Sequence, residues 1–308
     1  MTNSQPRRED ESPGGGQLAS FRRPEPNLEL AVSEPSVHLH PGAELIRARA
    51  VLLHGLRALG AQREAIVVIG AQAVYEHTKD LIEVGLTVTT DGDTGVLPHL
   101  VDPNFDIGQA MLSAGFSPAS DPPGIWWIDV DGDRVAFDLL VPGALAGPGR
   151  RGARVPGQDK RHIGRADGLE LCIVDRELHV LDPLDGTGEF VEAYIAGPAA
   201  IMCAKAYKLA ERINEADRGA KNRVKAKDAG DVWRLMAVTD PRSVASVFAE
   251  GEADPALAAA VCQGRSYLRD LFSPGGVGVQ LAVAGLGLDL GEERVERLIG
   301  SWMAGLRS

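Results

Sequence analysis

Cysteine is scarce in this chain. Its three residues, Cys172, Cys203 and Cys262, lie far apart with no CxxC spacing, so neither a disulfide framework nor a thiolate zinc site is expected. Cys203 and Cys262 fall in apolar, helix-like surroundings and read as core residues. No apolar run approaches the roughly 18 residues a membrane-spanning helix needs. The charged N-terminus, MTNSQPRREDESPGGGQ, lacks the hydrophobic region that follows in a secretory signal. A cytoplasmic protein without membrane contact is the resulting expectation. Positive charge is also in deficit: 32 Lys and Arg against 43 Asp and Glu leave a formal charge of −11. That balance excludes a surface built for broad, non-specific nucleic-acid binding, and any polyanion must be met by a local basic patch. Apolar residues, in contrast, make up 44% of the 308, enough for a sizeable core in one large domain or two ordinary ones.

Residues 1–41 are rich in Pro, Gly, Ser, Glu and Arg without helical or strand periodicity, and a disordered leader is expected there. Residues 42–196 mix strand and helix signals, whereas residues 197–308 are helical throughout, so an α+β domain followed by a helical domain is expected. The spacing predicts a helix from Ala43 to Gly60, carrying His54 as a structural histidine. A buried strand, Ile66–Ile69, should turn at Gly70 into a helix over Ala71–Glu83, with a second strand at Thr87–Thr90. Asn104–Ala114 reads as a helix. Trp126–Val130 and Val135–Val141 read as strands joined at Asp131-Gly132, a strong hairpin signal. Residues 142–160 form a long Gly/Pro/Arg loop, after which Glu170–Val174 and His179–Leu181 suggest another hairpin. Trp126, Trp127 and Trp233 read as residues of the core or of a domain contact, ahead of a base-stacking site.

The segment TVTTDGD presents Asp91 and Asp93 two residues apart, so on a strand they share one face. Two close carboxylates repel unless a cation lies between them, and a divalent metal or a simple strand-ending turn can account for the pair. Asp138, within RVAFDLLVP, is a lone acid among apolar neighbours and needs a partner. Arg150, Arg151, Arg154, Lys160 and Arg161 make the most basic stretch and the place for phosphate contact, if it is not an idle solvated loop.

A strand with a Gly turn, a helix, a strand bearing DxD and a third acid on a later strand together resemble the nucleotidyltransferase superfamily (polymerase β-like). The matching residues are Gly70 in VVIGAQAV, Asp91 and Asp93 in TVTTDGD, and Asp138 in VAFDLLV. Further on, AKAYKLAERINEADRGAKNRVKAKDAGDVWRL is similar to the helical segment of AbiEii-type nucleotidyltransferases, through Lys208, Lys227-Asp228 and Asp231. The resemblance covers roughly residues 66–237. It implies a small mixed-sheet nucleotidyltransferase core with a C-terminal helical domain, and transfer of a nucleoside monophosphate from an NTP to a hydroxyl on RNA, protein or a small molecule. It further implies Mg2+ or Mn2+ on Asp91, Asp93 and Asp138, with Asp138 also as base. The nucleotide would sit at Gly70, Ala71 and Lys208, with Asp228 orienting a base or the lysine and Lys205 an alternative to Lys208. Several AbiEii-type proteins are toxins of toxin–antitoxin systems, so the resemblance also implies an antitoxin partner.

The chain departs from the pattern at Gly70-Ala71-Gln72, where active members carry Gly-Ser or Gly-Gly. A non-catalytic nucleotide-binding or regulatory protein of the same fold is therefore the second expectation. A third comes from LDPLDGTGEF, which is close to the metal motif of the inositol monophosphatase family, with Asp182 and Asp185 as magnesium ligands and Thr187 nearby. Position 162, about twenty residues before Asp182, holds His where that family has Glu, and no Trp is followed by Asp. A Pro/Gly turn accounts for the same residues. Asp129, Asp131 and Asp133 open like a calcium loop, but Leu140 stands at position twelve and Arg134 at six, which favours a hairpin.

Overall fold

A computed structural model describes residues 41–81, 89–219 and 224–307. The leader expected over residues 1–41 falls outside these, except for its last residue. So do the first two residues of the strand expected at 87–90.

The protein is α+β, with a mixed sheet and a C-terminal helical region. Helix α1 (Ala43–Ala58) buries Leu45, Ala48, Val51, Leu52 and Leu56, which recur at helical spacing. After a 3-10 turn (Gly60–Ala65) comes β1 (Ile66–Val68), three β-branched residues that are all buried. Gly70 opens α2 (Gly70–Thr78), shorter at its C-terminal end than the expected helix.

The next strand, β2, spans Asp91–Val96, so Asp91 and Asp93 begin a strand where a strand end was expected. Pairing overrides local propensity here. Asp91–Gly95 pair with β5 (Asp133–Pro142) and Thr94–Val96 with β1. Gly92, a poor strand former, is buried under α1, where a Cβ would already lie 3.3 Å from Leu52.

Helix α3 (Ile107–Ser113) is also shorter than expected, because the Asp106 carboxylate caps it by accepting the Gln109 N–H at 3.0 Å. Strands β3 (Ser117–Pro118) and β4 (Ile125–Val130) follow. The β4–β5 turn is the expected hairpin, with Asp131 at φ 54 and Gly132 at φ 86. Asp129, Asp131 and Asp133 are exposed around it, and Asp133 pairs with Arg47 at 2.6 Å.

The hairpin expected over residues 170–181 is not formed. Glu170–Ile173 is a 3-10 turn, held because the buried Glu170 carboxylate accepts the N–H groups of Ala144 and Gly168, both at 2.9 Å. Strand β7 (Arg176–Leu181) pairs instead with β8 (Val191–Ala196). With β6 (Gly164–Ala166) beside β5, the sheet order is β3-β4-β5-β2-β1-β8-β7. The β1–β8, β2–β5 and β5–β6 pairs are parallel and the others antiparallel.

Strands give way to helices at Gly197: α4 (Pro198–Asp217), α5 (Ala226–Val238), α6 (Pro241–Ala253), α7 (Ala258–Phe272), α8 (Val277–Leu290) and α9 (Glu292–Arg307). Trp126 and Trp233 are core residues, their indole N–H groups donating to the carbonyls of His162 and Val295. Cys203 is buried as expected, but Cys262 is exposed on α7. Among the described residues no single helix is long and apolar enough to cross a membrane; α7 and α8 reach that length and composition only as a pair bent by 63°.

Candidate functional site

Strands β2 and β5 run parallel with Asp93 directly beside Asp138. Opposed residues of neighbouring strands share a face, and residues two apart along a strand do too, so Asp91, Asp93 and Asp138 all project from one side of the sheet. Gly92 and Phe137 project from the other side, against α1, where a Cβ on Gly55 would come within 2.5 Å of the Phe137 ring.

All three aspartates line a cavity of about 880 Å³ closed on its far side by α4 and α5. Gly70 and Ala71 border it at the start of α2. Gly70 has φ 66, and a Cβ there would lie 2.1 Å from Asp93 Oδ2. Only glycine lets the β1–α2 turn approach the carboxylate this closely. The turn is also tied to β2 by the Ile69 N–H, which donates to the Asp93 carbonyl at 3.0 Å.

Negative charge is concentrated on the sheet wall. Burial, with Asp91 adding to it, raises the Asp93 pKa to about 6, and Lys208 pulls in the opposite direction. Burial and then Asp93 and Asp91 raise Asp138 to about 8. Thr89 donates its hydroxyl to Asp91 Oδ1 at 2.6 Å, whereas buried Asp138 Oδ1 has no hydrogen-bond partner among the described residues.

The helical wall is positive. On α4, Lys205, Lys208 and Arg212 follow at three- and four-residue spacing, which places them on one face. Lys205 is buried and donates to Asp228 Oδ1 at 2.8 Å and Asp231 Oδ2 at 2.7 Å, both from α5. Burial works against its charge, but Asp231 and Asp228 prevail and hold its pKa above the ordinary lysine value. Asp228 also pairs with Arg212 at 2.9 Å and more loosely with Lys208 at 3.5 Å. Burial opposes the Asp228 charge too, yet Lys205 and Lys208 bring its pKa down to about 2. Lys208, 45% exposed, is therefore the freer of the two expected lysines. Lys225 and Lys227 also face the cavity. Burial lowers the Lys227 pKa, with Asp231 opposing.

Of the basic loop, Arg150 reaches the cavity, while Arg151 pairs with Asp121 and Arg161 with Asp159, each at 2.6 Å. Arg165 was not singled out from the sequence. It pins this loop by donating to the carbonyls of Gly143, Gly147 and Gly149. Arg212 was missed as well, although its place in YKLAER, four residues after Lys208, could have revealed it.

Asp182, Asp185 and Thr187 lie elsewhere, exposed in the β7–β8 loop. The Asp185 carboxylate accepts the Thr187 N–H at 2.9 Å and its hydroxyl at 2.8 Å, which closes a local turn. The Asp182 carbonyl accepts from Arg49 at 3.1 Å.

Among the described residues, no three His, Cys, Asp or Glu side chains are drawn together into a ready-made metal cage. The sheet wall nonetheless has the chemistry of a divalent-cation site: adjacent hard oxygen donors, two carboxylates whose pKa values burial and mutual repulsion raise, and an unpartnered oxygen on Asp138. No protein-family model and no curated protein matches the chain significantly.

Proposed function

We propose that this chain is a nucleotidyltransferase that moves a nucleoside monophosphate from an NTP to a hydroxyl acceptor on RNA, protein or a small molecule. The observation that carries the reading is the placement of Asp91, Asp93 and Asp138 along one wall of a cavity that Lys208 also lines. Mg2+ or Mn2+ held by the three aspartates would supply charge neutralisation for the attacking and leaving oxygens of an in-line displacement. Lys208 meets the triphosphate oxygens as a mobile point charge, with Asp228 limiting where it swings. The α2 N-terminus, with Gly70 and Ala71, offers backbone N–H groups to the same phosphates.

With the cation bound, the Asp138 carboxylate would be ionised and would take the acceptor proton as general base. As that proton moves to the carboxylate, the acceptor oxygen bonds to the α-phosphorus. The bond to pyrophosphate breaks, and pyrophosphate leaves with its electron pair. A toxin role with an antitoxin partner rests on the AbiEii resemblance alone.

Release of pyrophosphate from NTPs in the presence of Mg2+ tests the reading. Asp93→Ala should abolish it and Asp138→Asn should slow it by roughly 10²–10⁴-fold, the ordinary worth of a general base. Asp182→Asn should leave it unchanged. Unaltered turnover in Asp93→Ala would refute the assignment. A second reading, NTP binding without transfer, draws on Ala71, whose methyl group stands where a phosphate-binding hydroxyl could be. Mg2+-dependent NTP binding with no pyrophosphate released across varied acceptors would favour it.

A further inference from the structure

The two edges of the sheet differ. At one end, β3 is two residues long and finishes in Pro118, which shields that edge from further pairing. At the other end, β7 runs six residues without proline and pairs residue for residue with β8. Among the described residues, no strand pairs with its outer edge. One face of β7 presents Leu178 and Val180, 46% and 51% exposed, in line with Arg176, whose guanidinium covers Tyr194. The other face carries Glu177 and His179, in contact at 2.9 Å. An open edge this long, with two exposed apolar side chains on one face, is a template for another strand.

The side-chain order selects the strand that fits. In antiparallel self-pairing, a two-fold axis at Leu178 sets Leu178 against itself, Arg176 against Val180, and Glu177 against the second copy's His179, twice over. Moving the axis to Glu177 opposes two carboxylates. Moving it to His179 opposes two imidazoles and sets Glu177 against Leu181. Opposite charges and apolar pairs favour a cross-strand register, and like charges disfavour it. We propose that β7 pairs antiparallel with β7 of a second copy about a two-fold axis at Leu178, joining two sheets into one across an isologous interface. This holds whether or not the cavity turns over nucleotides.

The test uses the full chain carrying Cys262→Ser, since Cys262 is exposed while Cys172 and Cys203 are buried. Facing Cα atoms in an antiparallel pair are about 4.5–5.5 Å apart, inside the disulfide range. Leu178→Cys should therefore link covalently into a dimer on mild oxidation, and His179→Cys, which faces Glu177, should not. By sedimentation the unmodified chain should have twice the monomer mass at micromolar concentration. Val180→Lys should weaken the dimer at least tenfold with an unchanged thermal melt of the monomer. A monomeric wild-type chain would overturn the proposal, whether the edge is covered by residues 1–40, by another protein or by nothing. Equal cross-linking of the two cysteine variants, or a dimer indifferent to Val180→Lys, would overturn it as well.

Discussion

Gly70 is the residue on which the sheet wall most depends. Its positive φ and the 2.1 Å approach of a Cβ to Asp93 Oδ2 are independent reasons for glycine. Gly70→Ala should cost about 1–2 kcal/mol from the left-handed backbone alone and also displace the Asp93 carboxylate. Gly60→Ala, where a Cβ meets nothing within 4 Å, should be near neutral. Chemical denaturation of the two variants checks this, and NTP affinity should fall only in the first.

Asp93 and Asp138 also set a pH dependence. Their folded pKa values, about 6 and about 8, lie above the ordinary 3.8. The folded chain then binds more protons than the unfolded one, so their contribution is full below pH 4 and is lost as pH rises through 6 and 8. Asp228, lowered to about 2, acts in the opposite sense, and its contribution is lost only as pH falls from 4 through 2. Without divalent ions, Asp138→Asn should melt higher than wild type at pH 8, by at most roughly 2–4 °C for each kcal/mol recovered, with the gap closing by pH 4. A gap independent of pH would argue against the raised pKa. Strand alternation made the Asp91 and Asp93 pair legible in the sequence, and Asp138 stood out as a lone acid in an apolar run. The demand on Gly70 was not legible, because the clash involves a carboxylate 23 positions away and exists only once the strands are paired.

At the scale of elements, the legible parts were those with strong local periodicity. Helices α4 to α9 and the Asp131-Gly132 hairpin follow from the apolar pattern and turn chemistry. Strand β2 was misplaced because TVTT has the better β-propensity, whereas ladder bonds to β1 and β5 and the fit of Gly92 under α1 decide where the strand lies. Strand β8 went unassigned, since VEAYIA reads equally well as the approach to a helix. The 170–173 turn answers to Glu170, which accepts from nearby Gly168 and from Ala144, 26 residues away.

The α4–α5 contact is similar. A lysine on an amphipathic helix reads as exposed, but Lys205 is buried against Asp228 and Asp231. Lys205→Met should destabilise the chain by roughly 3–5 kcal/mol by leaving two buried carboxylates short of a cation. Lys208→Met, removing a looser and half-exposed contact, should cost less than about 1 kcal/mol while weakening NTP binding. Equal losses of stability in the two would contradict the division of labour between these lysines.

For the molecule as a whole, the net charge of −11 hides a local arrangement. Asp91, Asp93 and Asp138 line the sheet side of the cavity, and on the helix side Lys205, Lys208, Arg212, Lys225 and Lys227 outnumber Glu211 and Asp228. A bound metal–nucleotide would place cation against the first wall and phosphate against the second. Asp182 and Asp185 lie in an exposed loop and take no part in that wall. Crystals soaked with Mn2+ and a non-hydrolysable NTP, measured at a wavelength where manganese scatters anomalously, address this most directly. The expected result is an anomalous peak among Asp91, Asp93 and Asp138 with the triphosphate running toward Lys208, absent in Asp93→Asn. Manganese at Asp182 and Asp185 instead, or nucleotide bound away from the β2–β5 wall, would contradict it.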